Sequence, residues 1–427
     1  MKVCSRAPAS YFRSYISKHL PSGGKHDMYI RTRMMLTLTV LVTSALLVST
    51  GKGLAQATVG AEASVHAKSS KSTVQSSHQD SKKNFFIVEA MEEGVAKGIP
   101  GILLQTRKDG VVQHYTAGKA SIYAERSMQS NFHFRIGSVT KTFVSVTMLQ
   151  LVGEGKVSLN DTVDKWLPGL VQGNGYDGQQ ITIRQLLNHT SGIASYTDDV
   201  FLQKVYENRF KSFSSEELVQ EGLRQKPLFT PGTQASYSNT NYIIAAMIIE
   251  KVTGDTYAKQ IEERIIKPLK LNNTFIPGTS TKLPKPHARG YYQLKLGGPL
   301  QDFTELNATS AHASGGMIST ADDLNRFISA LLSGKLLKHE QMKQLLDTVE
   351  FQDQSKYGLG LLQVTLSNGV QLWGHTGGVH GFKTFTFATS DGKHAATLSM
   401  NYHGKDLENI IFEMIMKVYE AEFPASV

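Results

Sequence analysis

The sequence has one cysteine, Cys4, among 427 residues, and only two tryptophans. A lone thiol forbids an intramolecular disulfide, and no Cys/His spacing suits a zinc site. Stability must therefore come from buried apolar surface, which this length and a 40% hydrophobic content can supply. No internal repeat is present, so stacked-repeat architectures are excluded. Charge of one sign is also missing from most of the chain. The formal net charge is +9, but residues 1–57 hold eight of the 45 Lys/Arg and one of the 36 acids. The chain after residue 57 is nearly neutral, which excludes the basic footprint of a nucleic-acid binder.

The only long apolar stretch is 34–50. Arg31 and Arg33 precede it and Ala55-Gln56-Ala57 lies just beyond it. A positive flank, a short apolar run and an A-x-A site are the parts of a secretory signal peptide. The run is short for a membrane span and carries several Thr and Ser. Residues 1–57 are thus expected to be a targeting segment, cleaved after Ala57, with an N-terminal membrane anchor as the alternative. The protein is expected to be exported. Residues 58–83 are rich in Ser, Lys, Ala, Gln and His and read as a disordered spacer. The folded part is expected over 84–427.

Within it, residues 85–97 suit a helix with Phe85, Val88, Met91 and Val95 near one face. Three dipeptides, Asp109-Gly110, Asn368-Gly369 and Asp391-Gly392, lie between strand-like runs and predict tight hairpins. Helical segments are expected at 181–188, 215–225, 241–252, 256–267, 320–333 and 338–348, and 273–312 reads as irregular. A last amphipathic helix carries Leu407, Ile410, Ile411, Met414 and Val418 on one face. The stretch 138–152 is harder, because Val139, Thr140, Thr142, Val144, Val146 and Thr147 favour strand. Its length and the stop at Gly153 and Gly155 favour a buried helix. The fold expected is α/β (α+β). One antiparallel sheet is made from both ends of the chain and flanked by N- and C-terminal helices. A mainly helical region is inserted over approximately 155–300.

Three short motifs carry potential chemistry. Arg135 to Phe143 reads R-I-G-S-V-T-K-T-F, placing Ser138 and Lys141 three apart on one helical face. A serine needs a neighbouring base to act as a nucleophile. Tyr237-Ser238-Asn239 and His375-Thr376-Gly377 are the other two. Singly, each has a bland reading: a core tyrosine, a helix cap, a turn.

Together and in this order, S-V-T-K, Y-S-N and H-T-G resemble the three motifs of the penicillin-recognising serine hydrolases. That family includes serine β-lactamases, D-alanyl-D-alanine carboxypeptidases and related esterases and D-peptidases. L-L-N-H-T-S-G at 186–192 and A-S-G-G-M-I-S-T at 313–320 are similar to it as well. The resemblance implies a β-lactamase/transpeptidase-like fold with Ser138 as acylated nucleophile and Lys141 and Tyr237 moving its proton. Which of the two is the base stays open. It implies an oxyanion hole from the backbone N–H groups of Ser138 and Gly378. Asn239, His375, Thr376 and Gly377 would line the substrate site. No metal and no cofactor are implied.

The H-T-G third motif, where class C β-lactamases resemble K-T-G, points to carboxypeptidases, D-peptidases and esterases. The leading expectation is an exported serine D-Ala-D-Ala carboxypeptidase or D-stereospecific peptidase. Its partners would be peptidoglycan stem peptides or D-amino-acid peptides, with β-lactam antibiotics as acylating ligands. A β-lactamase or esterase on the same site is the first alternative. A non-catalytic penicillin-binding or peptidoglycan-sensing module is the second. His189 is expected to make a structural hydrogen bond, and Arg289 a structural ion pair. Trp373 and Phe382 are expected to pack.

Overall fold

A computed structural model describes residues 69–351 and 355–425, with side chains from Ser81 onward. Residues 1–57, read as a targeting segment, and 58–68 of the expected spacer lie outside the described residues. Among the described residues no helix is long and apolar enough to cross a membrane.

The first helix, α1 (Ser69–Ala96), begins inside the stretch expected to be a disordered spacer. Composition denies that stretch a core of its own, but not a helix. Once the segment after Lys83 is anchored, adding turns avoids the cost of a new nucleus. The buried face also differs from expectation. Ile87, Ala90 and Met91 are buried, whereas Phe85 and Val88 are exposed. Gly94 continues the buried stripe and permits close packing, since a Cβ there would lie 3.2 Å from both Ile99 and Met414.

Strands β1 (Gly101–Lys108) and β2 (Val111–Ser121) form the first hairpin. Asp109 and Gly110 both have positive φ, 49° and 86°, as that turn demands. The short β3 (Arg126–Ser127) comes next. All other strands of this sheet come after residue 348: β4 (Val349–Glu350), β5 (Lys356–Tyr357), β6 (Leu362–Thr365), β7 (Gln371–Val379), β8 (Phe382–Ala388) and β9 (His394–Met400). They assemble in the order β4-β5-β6-β7-β8-β9-β1-β2-β3. Every pairing is antiparallel, and Ile102 of β1 lies opposite Met400 of β9. Both ends of the chain therefore build one sheet. The three expected hairpins fall at Asp109-Gly110, between β6 and β7, and between β8 and β9.

The sheet separates two cores. Ile102, Leu104, Phe385, Leu398 and Met400 join α1 and the C-terminal helix, whose side chains Ile411, Met414, Ile415 and Val418 are buried. On the other face lie α2 (Thr140–Gly153), α3 (Asn239–Thr253) and α4 (Ala321–Leu332), and α5 (Glu408–Glu422) closes the chain. Asn325 of α4 ties its helix to the sheet, donating to Gln105 O at 2.8 Å and accepting from Thr397 Oγ1 at 2.7 Å. Helix α2 forms despite its β-branched residues: Thr140 to Leu151 are buried except Gln150, so tertiary packing overrides propensity. Helices α4 and His339–Leu345 fall where helices were expected, at 320–333 and 338–348, and α4 lies on the sheet. Two short helices, Val163–Trp166 and Asp199–Glu207, were not legible as such. The stretch read as irregular contributes Tyr291–Gln293 and Gln301–Asp302 to a small sheet with Tyr402–Gly404.

Candidate active site

Ser138 sits in a single 3₁₀ turn, Gly137–Val139, that runs directly into α2. One turn later Lys141 is fully buried. Its Nζ lies 3.0 Å from Ser138 Oγ, 2.6 Å from Asn239 Oδ1 and 2.6 Å from the Ser314 carbonyl oxygen. Two of these three partners are carbonyl oxygens, which only accept. A neutral amine has two N–H groups, which those carbonyls take, and a lone pair, which is left for the Ser138 hydroxyl. Among the described residues no carboxylate pairs with Lys141. Burial alone pushes its pKa well below the usual lysine range. The arrangement thus supplies a proton acceptor beside a hydroxyl, at a site half open to solvent.

Asn239 is the first residue of α3 and is not the helix cap; Ser238 holds that position without a side-chain cap bond. Its amide is oriented from both ends. Oδ1 accepts from Lys141, and Nδ2 donates to Thr197 Oγ1 at 2.7 Å. Ser195 Oγ accepts from the Asn239 backbone N–H at 3.1 Å and meets Thr197 Oγ1 at 2.9 Å. Ser195 and Thr197 went unread in the sequence because hydroxyls in loops carry no spacing signal; Ser314 lies in the quoted 313–320 motif, but its carbonyl contact with Lys141 was not read from it. His189 has the expected structural role. It is buried with φ at 63°, and its Nδ1 accepts from the Ser238 N–H at 3.2 Å. Its ring also packs against Tyr237, with centroids 4.4 Å apart. The Tyr237 ring in turn lies 4.8 Å from Lys141 Nζ.

The third motif lies on β7. The strand is rich in glycine because the Ser138 turn presses against it. A Cβ on Gly377 would stand 1.9 Å from Ile136 O and 3.0 Å from Ser138 N. A Cβ on Gly137, whose φ is 52°, would stand 2.7 Å from Gly378 N. These contacts bring the backbones of Ser138 and Gly378 side by side. Strand β6 pairs with β7 only as far as Gly374, whereas β8 accompanies it to Val379. From His375 to Val379, β7 therefore has a described sheet partner on one edge alone. His375 is buried, with Nδ1 2.5 Å from the Thr376 carbonyl and Nε2 2.8 Å from Tyr357 Oη. A carbonyl only accepts, so Nδ1 carries a proton, and in the neutral ring Nε2 accepts from Tyr357. Thr376 and Gly378 remain partly open to solvent.

Ser138, Lys141, Tyr237, Asn239, His375, Thr376, Gly377 and Gly378 thus come from the 3₁₀ turn and first turn of α2, from the start of α3 and the loop before it, and from β7. The family model described as Beta-lactamase matches residues 87–411, a span that holds all eight. The chain belongs to that family.

This β-lactamase-family chain resembles a D-stereospecific amidohydrolase from Streptomyces sp., with 42% identity and a TM-score of 0.73, over 80% of this chain and 99% of that one. It also resembles a D-amino acid amidase from Ochrobactrum anthropi SV3, with 27% identity and a TM-score of 0.68, over 80% and 98% of the two chains. Penicillin-binding protein 4* of Bacillus subtilis is 28% identical over 311 residues. Protein flp of Staphylococcus aureus is 27% identical over 333 residues. These two relatives are longer, and the chain spans 66% and 64% of their length. The family and its solved neighbours are serine hydrolases of the β-lactamase fold.

Other side chains make structural contacts. Trp373 and Phe382 are buried in the core. Arg289 forms the expected ion pair, with Asp302. His380 is buried against Tyr292, and burial lowers its pKa to about 4. His403 was not foreseen: its ring lies 3.3 Å from where a Gly378 Cβ would be, although 25 residues separate the two in sequence. Among the described residues no group of three or more His, Cys, Asp or Glu gathers as a metal site would require.

Proposed function

We propose that this β-lactamase-family chain is a D-stereospecific serine amide hydrolase acting through an acyl-enzyme on Ser138. The observation that carries the reading is the Lys141 amine, buried, paired with no carboxylate among the described residues, and 3.0 Å from Ser138 Oγ. Lys141 is the base: it takes the hydroxyl proton as Oγ attacks the scissile carbonyl carbon. The developing oxyanion is held by the backbone N–H groups of Ser138 and Gly378, which the close approach of β7 sets together. The C–N bond then breaks. The leaving nitrogen receives the proton, with Tyr237 next to Lys141 to pass it on. Water hydrolyses the ester by the reverse proton path, and Ser138 is restored. The one-sided edge of β7 gives an extended substrate a place to pair as an added strand. Asn239 and Thr376 flank it.

The likeness to the Streptomyces amidohydrolase supports D-stereospecific amide cleavage over β-lactam turnover. A D-Ala-D-Ala carboxypeptidase acting on peptidoglycan stem peptides is a narrower form of the same reading. Export belongs to it too, on the strength of the 34–57 sequence pattern. The test is a hydrolysis panel of D- and L-aminoacyl amides, esters and nitrocefin, run beside Ser138→Ala, with labelling by fluorescent penicillin. Turnover of D-substrates and labelling, both lost in Ser138→Ala, are expected. Stable labelling with no turnover of any substrate would instead identify a penicillin-binding sensor.

A further inference from the structure

A second cleft opens beside β3, and none of the residues that line it belongs to the serine centre. Its volume is about 620 Å³, and Arg126, Arg209, Lys285, His287 and Arg289 line it together with two carboxylates, Asp302 and Glu305. Small-molecule sites run to roughly 300–1,000 Å³, so the space suits a compact ligand.

The cations here are held in place yet short of counter-charge. Arg126 Nη2 donates to the His287 carbonyl oxygen at 2.6 Å, and its guanidinium carbon stands 5.5 Å from the centre of the Phe132 ring. Arg209 Nη1 donates to the Asp302 carbonyl oxygen at 2.5 Å, and its guanidinium carbon stands 5.0 Å from the centre of the Phe303 ring. A carbonyl fixes a guanidinium without cancelling its charge, and each of these bonds uses one of five N–H donors. Arg289 has a carboxylate partner, Asp302. Among the described residues no carboxylate pairs with Arg126, Arg209 or Lys285.

A fifth cation lies behind the wall to which Thr304 belongs. Arg135 is buried, and its Nη2 donates to the carbonyl oxygens of Thr281, Thr304 and Leu306. Its Nε and Nη1 have no hydrogen-bond partner, and no carboxylate among the described residues pairs with it. A buried charge left uncompensated is costly, and an anion in the neighbouring cleft offsets part of that cost. The positive field also reaches His287, whose Nδ1 lies 2.9 Å from the Ala288 carbonyl oxygen. Burial first, and then the charges of Arg126, His133 and Lys285, hold its imidazole below the usual histidine range despite that bond.

We propose that this cleft is a binding site for a small oxyanion carrying two or more negative charges. Arginine forks match the paired oxygens of phosphate and carboxylate, and several cations around one space call for more than one negative charge. The site is independent of the acyl-enzyme reading and stands or falls apart from it.

The test is calorimetric titration of the whole protein with tripolyphosphate and with citrate, which separates phosphate from carboxylate as the preferred group. Saturable binding of one ion per chain is expected for at least one of them, weakening as salt rises. Arg126→Glu/Lys285→Glu reverses two exposed charges of the cleft and should weaken binding tenfold or more. Lys335→Glu/Lys343→Glu makes the same change in net charge at exposed positions outside the cleft and should leave binding intact. Hydrolysis of an uncharged D-aminoacyl ester should be unchanged in both. Absence of saturable binding, or equal loss in the two double variants, would overturn the proposal. A second measurement needs no variant beyond His287→Gln to assign the signal: the His287 imidazole should titrate at higher pH when the anion is bound, because a nearby negative charge favours its protonated form. An unmoved His287 titration at saturation places the anion elsewhere and refutes the site.

Discussion

Replacing Gly377 by alanine adds one methyl group and should nearly abolish activity. The new Cβ would stand 1.9 Å from the Ile136 carbonyl oxygen, 2.9 Å from its carbon and 3.0 Å from the Ser138 nitrogen. All three atoms are backbone, so no side chain can swing aside. To restore ordinary contact, β7 and the Ser138 turn must part by roughly 1 Å, and a displacement of that size costs on the order of 100-fold in rate even when the chemistry itself is intact. Overpacking of this kind also destabilises by about 1–3 kcal/mol. The assay is kcat/KM on a D-aminoacyl p-nitroanilide together with a thermal melt. Gly110→Asn serves as the control, because nothing lies within 4 Å of a Cβ there and asparagine tolerates the turn's positive φ. If Gly377→Ala keeps activity within threefold and melts at the wild-type temperature, the close approach of β7 to the Ser138 turn is not what sets the site.

Asn239→Ala removes one acceptor from Lys141 and one donor to Thr197, and should cost about 2 kcal/mol, or roughly 30-fold in kcat/KM. Rates within threefold of wild type would show that the amide does not hold the amine. The pH profile of kcat/KM derives from the buried amine, whose pKa is lowered. Neutral Lys141 is the competent base, so the rate rises with pH through that lowered value. The rising limb should lie far below the ordinary lysine value near 10.5; a limb close to that ordinary value would remove Lys141 from the role. Arg289→Ala breaks a half-exposed ion pair with Asp302 and should cost about 1 kcal/mol or less in chemical denaturation. A large rise in KM for that variant would instead make Arg289 a substrate contact.

The parts legible in the sequence were those with local signals. Asp109-Gly110, Asn368-Gly369 and Asp391-Gly392 marked their hairpins because positive φ selects few residue types. Ser138, Lys141, Tyr237 and His375 were singled out because three short motifs occur in a fixed order, and the structure draws the first three together around Lys141. What escaped was decided by contacts across the chain. Within β7 the pair Gly377-Gly378 lowers strand propensity, yet Gly377 is there to admit the backbone of residues 136–138. Helix α1 hides Ile87 rather than Phe85 because its rotation is set by where Met414 and Ile99 wait. The hydroxyls of Ser195 and Thr197, in a loop, and the carbonyl of Ser314, in the short helix His312–Gly315, gain their roles only when α2 and α3 meet around them.

The pairing of β1 with β9 also dictates the order in which the molecule is made. Ile102 and Met400 are neighbours in the sheet but nearly three hundred residues apart along the chain. The hairpin of β1 and β2 can form early, yet its inner edge has no partner until the last strands have been synthesised. Closing so long a loop is slow, and it comes late. Ser138 and Lys141 leave the ribosome long before the strand against which their turn must rest. The turn that carries Ser138 therefore gains its backing strand only in a late step, when the two parts of the sheet join.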